Sequence, residues 1–159
     1  MRKAVLLLAG LLILGFLNFG VYQRERLLTG GSVVFLRLSP VDPRSLMQGD
    51  YMRLNFEVAD QAFPASASAP GADGHVVVQL DPHRIGRFRR FADARPLQPG
   101  EIALRYRIRD GRANFATNAY FFQEGRAEHY ASAAYGEFRV GRDGEMILTG
   151  LRGPRLEKL

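Results

Sequence analysis

Eighteen consecutive residues, Ala4–Val21 (AVLLLAGLLILGFLNFGV), carry no charge and only one strongly polar side chain, Asn18. Wound as a helix at ~1.5 Å per residue, this run is ~27 Å long, close to the ~30 Å hydrocarbon thickness of a bilayer. Gly10, Gly15 and Gly20 lie within it. In water they would weaken a helix, but in lipid the backbone has no solvent to turn to and glycine is tolerated. The competing reading is a cleaved signal peptide, whose apolar region is usually ~7–15 residues and ends in small residues. Here the exit reads Asn18-Phe19-Gly20-Val21-Tyr22-Gln23, with no Ala-x-Ala pattern. A retained anchor over residues 4–22 is therefore expected, with Tyr22 at interfacial depth.

Flanking charge gives an orientation. Arg2 and Lys3 precede the run, whereas Arg24 and Arg26 follow it with Glu25 between them. The excess puts residues 1–3 in the cytoplasm as a short tip. Residues 23–31 are then a linker, and 32–159 an exported domain on the periplasmic side of a bacterial inner membrane. The chain has no cysteine, which removes disulfides, thiolate metal sites and cysteine nucleophiles. Its net charge is +6, but eighteen basic against fifteen acidic side chains lie beyond residue 31. That balance lacks the concentrated positive charge of a nucleic-acid binder.

Beyond Gly30 the hydropathy pattern has period two, the signature of half-buried strands. Strands are expected at Ser32–Leu38, Tyr51–Val58, His75–Leu80, Arg84–Phe91, Glu101–Arg109, Ala113–Phe122, Tyr135–Val140 and Glu145–Leu148. Asp110-Gly111 and Gly141-Arg142-Asp143-Gly144 are hairpin signals. Glu124–Ala134 reads as a short helix, and Asp42-Pro43 as the cap of a single turn that Gly49 ends. Phe63–Gly74, rich in Pro, Ser, Ala and Gly, reads as an exposed loop. The fold class is mainly β, an antiparallel sandwich or open barrel, or α+β with one short helix, behind the transmembrane helix.

Chemistry is sparse. Ser45 near Met47, followed by Gly49-Asp50, invites comparison with membrane-anchored serine peptidases. Such a serine needs a base, in that class a lysine, and the only lysines are Lys3 and Lys158. His75, His83 and His129 show no metal-ligand spacing, so neither a metal nor another cofactor is expected. Arg87, Arg89, Arg105, Arg107 and Arg109 form a candidate basic patch, set against the simpler reading of a solvated face paired with nearby acids. As a patch it would suit anionic headgroups or an acidic partner.

The stretch Gly49-Asp50-Tyr51-Met52-Arg53-Leu54-Asn55-Phe56 resembles the octapeptide of the bacterial GDYXXLXY protein family, with Phe56 where that pattern ends in tyrosine. Asp42 and Arg44 precede it in a Pro-x-Asp-Pro-Arg context, and Tyr135–Val140, Asp143-Gly144 and Leu151 suit the family's ending. The resemblance implies a membrane-anchored bacterial protein and a second inner-membrane protein as partner; it implies no particular reaction. Physically, Gly49 permits a sharp reversal, Asp50 accepts backbone hydrogen bonds in the turn, and Leu54 and Phe56 face the core. Tyr51 lies on the opposite face. The expected role is a non-catalytic accessory or interaction domain. The alternatives are an envelope hydrolase with dispersed Asp, Glu, His and Arg groups, or a binder of a lipid or small ligand.

Overall fold

In a computed structural model, the structure describes residues 2–39, 47–48, 51–64, 72–109 and 112–159. Helix α1 runs from Arg2 to Gly30. It contains a stretch, Leu7–Gly30, long and apolar enough to cross a membrane, and none of that stretch is buried against protein. Residues 23–30 are helical too, so α1 continues about 13 Å past the apolar run. The Gly31 amide closes its last turn on the Leu27 carbonyl at 2.9 Å. A side chain at Gly31 would strike that carbonyl and the Arg139 Cβ, so glycine is what lets helix turn into strand here.

Strand β1 (Ser32–Arg37) follows at once. The remaining elements are β2 (Met47–Gln48), β3 (Tyr51–Arg53), α2 (Glu57–Ala62), β4 (Gly74–Leu80) and β5 (Ile85–Phe91). After them come β6 (Glu101–Arg109), β7 (Arg112–Phe115), β8 (Ala119–Phe121), α3 (Ala127–Tyr130), β9 (Tyr135–Val140) and β10 (Met146–Arg152). Seven strands form one sheet in the order β10-β9-β1-β5-β4-β6-β7, and β2-β3-β8 form a second. All pairings in the large sheet are antiparallel except β1 with β5, where Phe35 lies beside Ile85.

The large sheet nearly closes on itself. Its β9–β10 turn meets β6, where the Arg105 amide donates to the Gly144 carbonyl at 2.8 Å. Gly144 has φ +78°, and a Cβ there would press on His75 Cδ2, the Ala103 carbonyl and the Arg105 nitrogen. Glycine is required both for the turn and for the close approach. The His75 Nε2 lies 3.0 Å from the Asp143 carbonyl, which can only accept, so Nε2 carries the proton.

Period-two patterning explains the interior. Val34 and Leu36 from β1, Val76 and Val78 from β4, and Leu104 and Tyr106 from β6 point inward. Phe138 and Val140 from β9 and Met146 and Leu151 from β10 meet them. Val77 is buried on the opposite face, between Arg90 and Ala103 in the strands on either side. Helix α2 packs against β1, β5 and β7, and Phe63 just after it stacks edge-to-face with Phe91 and Tyr106.

Several expected boundaries move. The strand expected over Tyr51–Val58 is extended only at its start; Phe56 bridges Leu38, and Glu57 begins α2. Met52, Leu54, Phe56 and Val58 are all buried as the alternation implied, but Val58 gets there on a helix. The strand expected over Ala113–Phe122 breaks at Ala116 (φ 51°), and its second half joins the small sheet. The helix expected over Glu124–Ala134 shrinks to α3, since Gly125 at φ +80° and the turn after Tyr130 leave one helical turn. Phe63, expected in an exposed loop, is instead anchored in the aromatic cluster. The Asp110-Gly111 turn and the turn expected at Asp42-Pro43 lie outside the described residues.

Leu36 is fully buried. Leu36→Ala is expected to cost ~2–5 kcal/mol of stability, read from urea unfolding of the full chain in detergent.

Candidate functional site

Among the motif residues, Asp42, Arg44, Gly49 and Asp50 lie outside the described residues. Tyr51, Leu54 and Phe56 are described, and they divide between two jobs. Leu54 is 1% exposed, its amide bonded to the Asn118 carbonyl at 2.8 Å. Phe56 packs edge-to-face on Phe138 with centroids 5.3 Å apart. The Ser39 amide bonds the Asn55 carbonyl at 2.9 Å, and the Ser39 hydroxyl donates to Asp60 on α2. These contacts sew the motif to the end of β1 away from α1.

Tyr51 faces the other way. It pairs with Phe121 across β3 and β8, and the rings lie 5.7 Å apart. Phe121 is 74% exposed. Its neighbours Tyr120 and Phe122 turn inward onto Tyr130, with centroids 5.3 and 5.2 Å away. Burial, and then the Tyr130 hydroxyl beside it, push the Tyr120 hydroxyl above its ordinary value. The small sheet thus has a packed aromatic underside and an outward Phe121 resting against half-buried Tyr51. Phe121 was legible only as one aromatic in Tyr120-Phe121-Phe122; alternation within that triplet is the signal that turns it outward.

The candidate basic patch divides. Arg105 and Arg107 converge on a single carboxylate oxygen of Glu145, Arg107 at 2.9 Å. That acid, which the sequence did not mark as a partner, helps bind the β9–β10 turn to β6. Arg87 stands exposed on β5, with β4 between it and these two. Arg89 is exposed at the β5 bulge, and Arg109 is exposed at the far end of β6.

A second charged cluster lies over Val77. Arg90 donates to Asp93 at 2.9 Å and to Glu101 at 3.0 Å. The Glu101 side chain is only 5% exposed and also accepts from the Gln98 amide at 3.0 Å. The Gln98 amide and the Arg90 guanidinium hold the Glu101 carboxyl below its ordinary value of 4.5, against the opposing push of burial. Arg95 does the same for Asp93. The cluster ties the loop between β5 and β6 to the sheet; all its carboxylates are engaged. Among the described residues, no group of three or more His, Asp or Glu is placed to hold a metal ion.

The family profile described as "GDYXXLXY protein" matches residues 13–151, from within α1 to the last strand. No curated protein and no solved structure matches the chain. The chain belongs to the GDYXXLXY protein family.

Because its carboxyl is lowered in the folded state, Glu101 adds stability that is complete above 4.5 and lost as pH falls through the folded value. The urea midpoints of wild type and Glu101→Gln should therefore differ at neutral pH and converge in acid. In the motif, Leu54→Ala should cost ~2–5 kcal/mol, whereas Phe121→Ser should change stability by no more than ~0.5 kcal/mol.

Proposed function

We propose that this GDYXXLXY-family protein is a membrane-tethered, non-catalytic interaction domain. Its α1 spans a bacterial inner membrane with the amino terminus in the cytoplasm, and its barrel works in the periplasm alongside another membrane protein. The ring pair of half-buried Tyr51, on the motif strand β3, and exposed Phe121, on the neighbouring β8, carries this reading. Isolated apolar side chains on a surface are ordinary, but an aromatic at 74% exposure, its ring tilted against a second, has the make-up of an interface anchor. Leu54 and Phe56 fix the strand from below, so the rings are presented at little conformational cost.

Geometry favours a partner with mass outside the bilayer. The small sheet joins the large one near Leu38, at the opposite end of β1 from α1. Six residues of strand put roughly 20 Å between those ends. Tethering confines encounters to the membrane plane and raises the effective concentration of any co-resident protein. Arg2 and Lys3 on one flank, with Glu25 offsetting Arg24 and Arg26 on the other, support the orientation.

A photo-crosslinking amino acid at position 121, in the full chain in native membranes, should give one discrete adduct. The same group at Arg89, also exposed, should not. Phe121→Ser with an unchanged unfolding midpoint should deplete the partner from the purified complex. A diffuse ladder from both positions would count against the interface.

A further inference from the structure

Between α1 and the barrel lies a groove of about 1390 Å³. One wall is α1 from Phe19 to Gly30 with the junction residue Gly31, and the other is the start of β6 and the β9–β10 turn, with Leu97 also in the lining. Phe19 and Gly20 belong to the apolar run and Tyr22 lies one residue past it. The groove therefore opens where α1 leaves the hydrocarbon, and its occupant stands in the headgroup layer.

Its charge is unbalanced in a definite way. Arg24, Arg26, Arg105, Arg107 and Arg142 line it, against Glu101, Asp143 and Glu145. Glu101 is already bound by Arg90 and the Gln98 amide, and Asp143 Oδ1 accepts the Glu145 amide at 3.1 Å. Glu145 is shared by two arginines. Among the described residues, Arg24, Arg26 and Arg142 are exposed and have no ion-pair partner. Leu97, also in the lining, is 48% exposed.

We propose that this groove binds the anionic headgroup of a phospholipid in the leaflet from which α1 emerges. Arg24, Arg26 and Arg142 take the phosphate oxygens, for which a planar guanidinium offers paired donors. Leu97 supplies an apolar contact to the upper acyl chain. A lipid is the fitting source of the phosphate because one wall of the groove is the membrane helix itself. The inference rests on α1 spanning the bilayer.

The test uses the full chain reconstituted into phosphatidylcholine vesicles, with and without phosphatidylglycerol. Lipid retained after mild detergent extraction is then weighed by native mass spectrometry. Wild type should retain phosphatidylglycerol above its bulk share. Each arginine of Arg24→Gln, Arg26→Gln and Arg142→Gln should weaken that retention about fivefold, with the barrel's circular dichroism unchanged. Inorganic phosphate added to protein in detergent should not raise the unfolding temperature, whereas phosphatidylglycerol should. Equal retention of the two lipids, undiminished enrichment in the triple variant, or equal stabilisation by free phosphate would each overturn the inference. A chain that floats with vesicles but shows no enrichment defeats the headgroup site alone. One that fails to float defeats the spanning reading and the site with it.

Discussion

A helix suited to hydrocarbon runs without interruption into the first strand of a barrel, and the rest of the architecture answers to that junction. Between the last turn of α1 and Ser32 there is one residue, Gly31, whose amide is still bonded to Leu27. A junction so short leaves little freedom between helix and sheet. Leu27 lies against Gly141 at the start of the β9–β10 turn, so the same turn that meets α1 also meets β6. One turn thus both seats the helix and draws β6 toward β9 and β10.

The charged groups follow from that arrangement. Glu145 draws Arg105 and Arg107 to the turn, and Glu101 draws Arg90 across the outer face. The partly exposed pairs at Glu145 contribute little stability individually. The effect of both clusters is positional: they set the turn and the loop between β5 and β6 beside α1. The apolar core under them holds the barrel together, and the motif's Leu54 and Phe56 belong to that core. The two faces of the motif strand therefore serve different ends, one packing the barrel and the other presenting Tyr51.

Much of this was legible in the residues. Ala4–Val21 announces by length and lack of charge a helix long and apolar enough to cross a membrane, and the alternation in Glu101–Arg109 marks the inward face of β6 residue by residue. The alternation in Met52–Val58 gives burial correctly but not conformation, because a helix entered at Glu57 can bury Val58 as well as a strand can. The break at Ala116 was invisible, since alanine carries no mark of a positive φ imposed by a change of sheet. Nor could spacing show that Arg105 and Arg107 would meet Glu145, 40 and 38 positions away. Pairing across a barrel depends on register, and register on closure. For the same reason the five arginines expected as one patch divide between strands.

The two proposed surfaces have distinct addresses: an aromatic pair at the end of β1 away from α1 and a cationic groove beside α1. Both depend on α1 standing in the membrane with the barrel seated at its exit. The chain contains no tryptophan, so one introduced at Leu97 reports its own depth. In vesicles of lipids brominated near the headgroup end of the acyl chain, Leu97→Trp should be strongly quenched, and Phe121→Trp should stay bright. Equal fluorescence from the two positions would contradict a barrel fixed at the membrane surface.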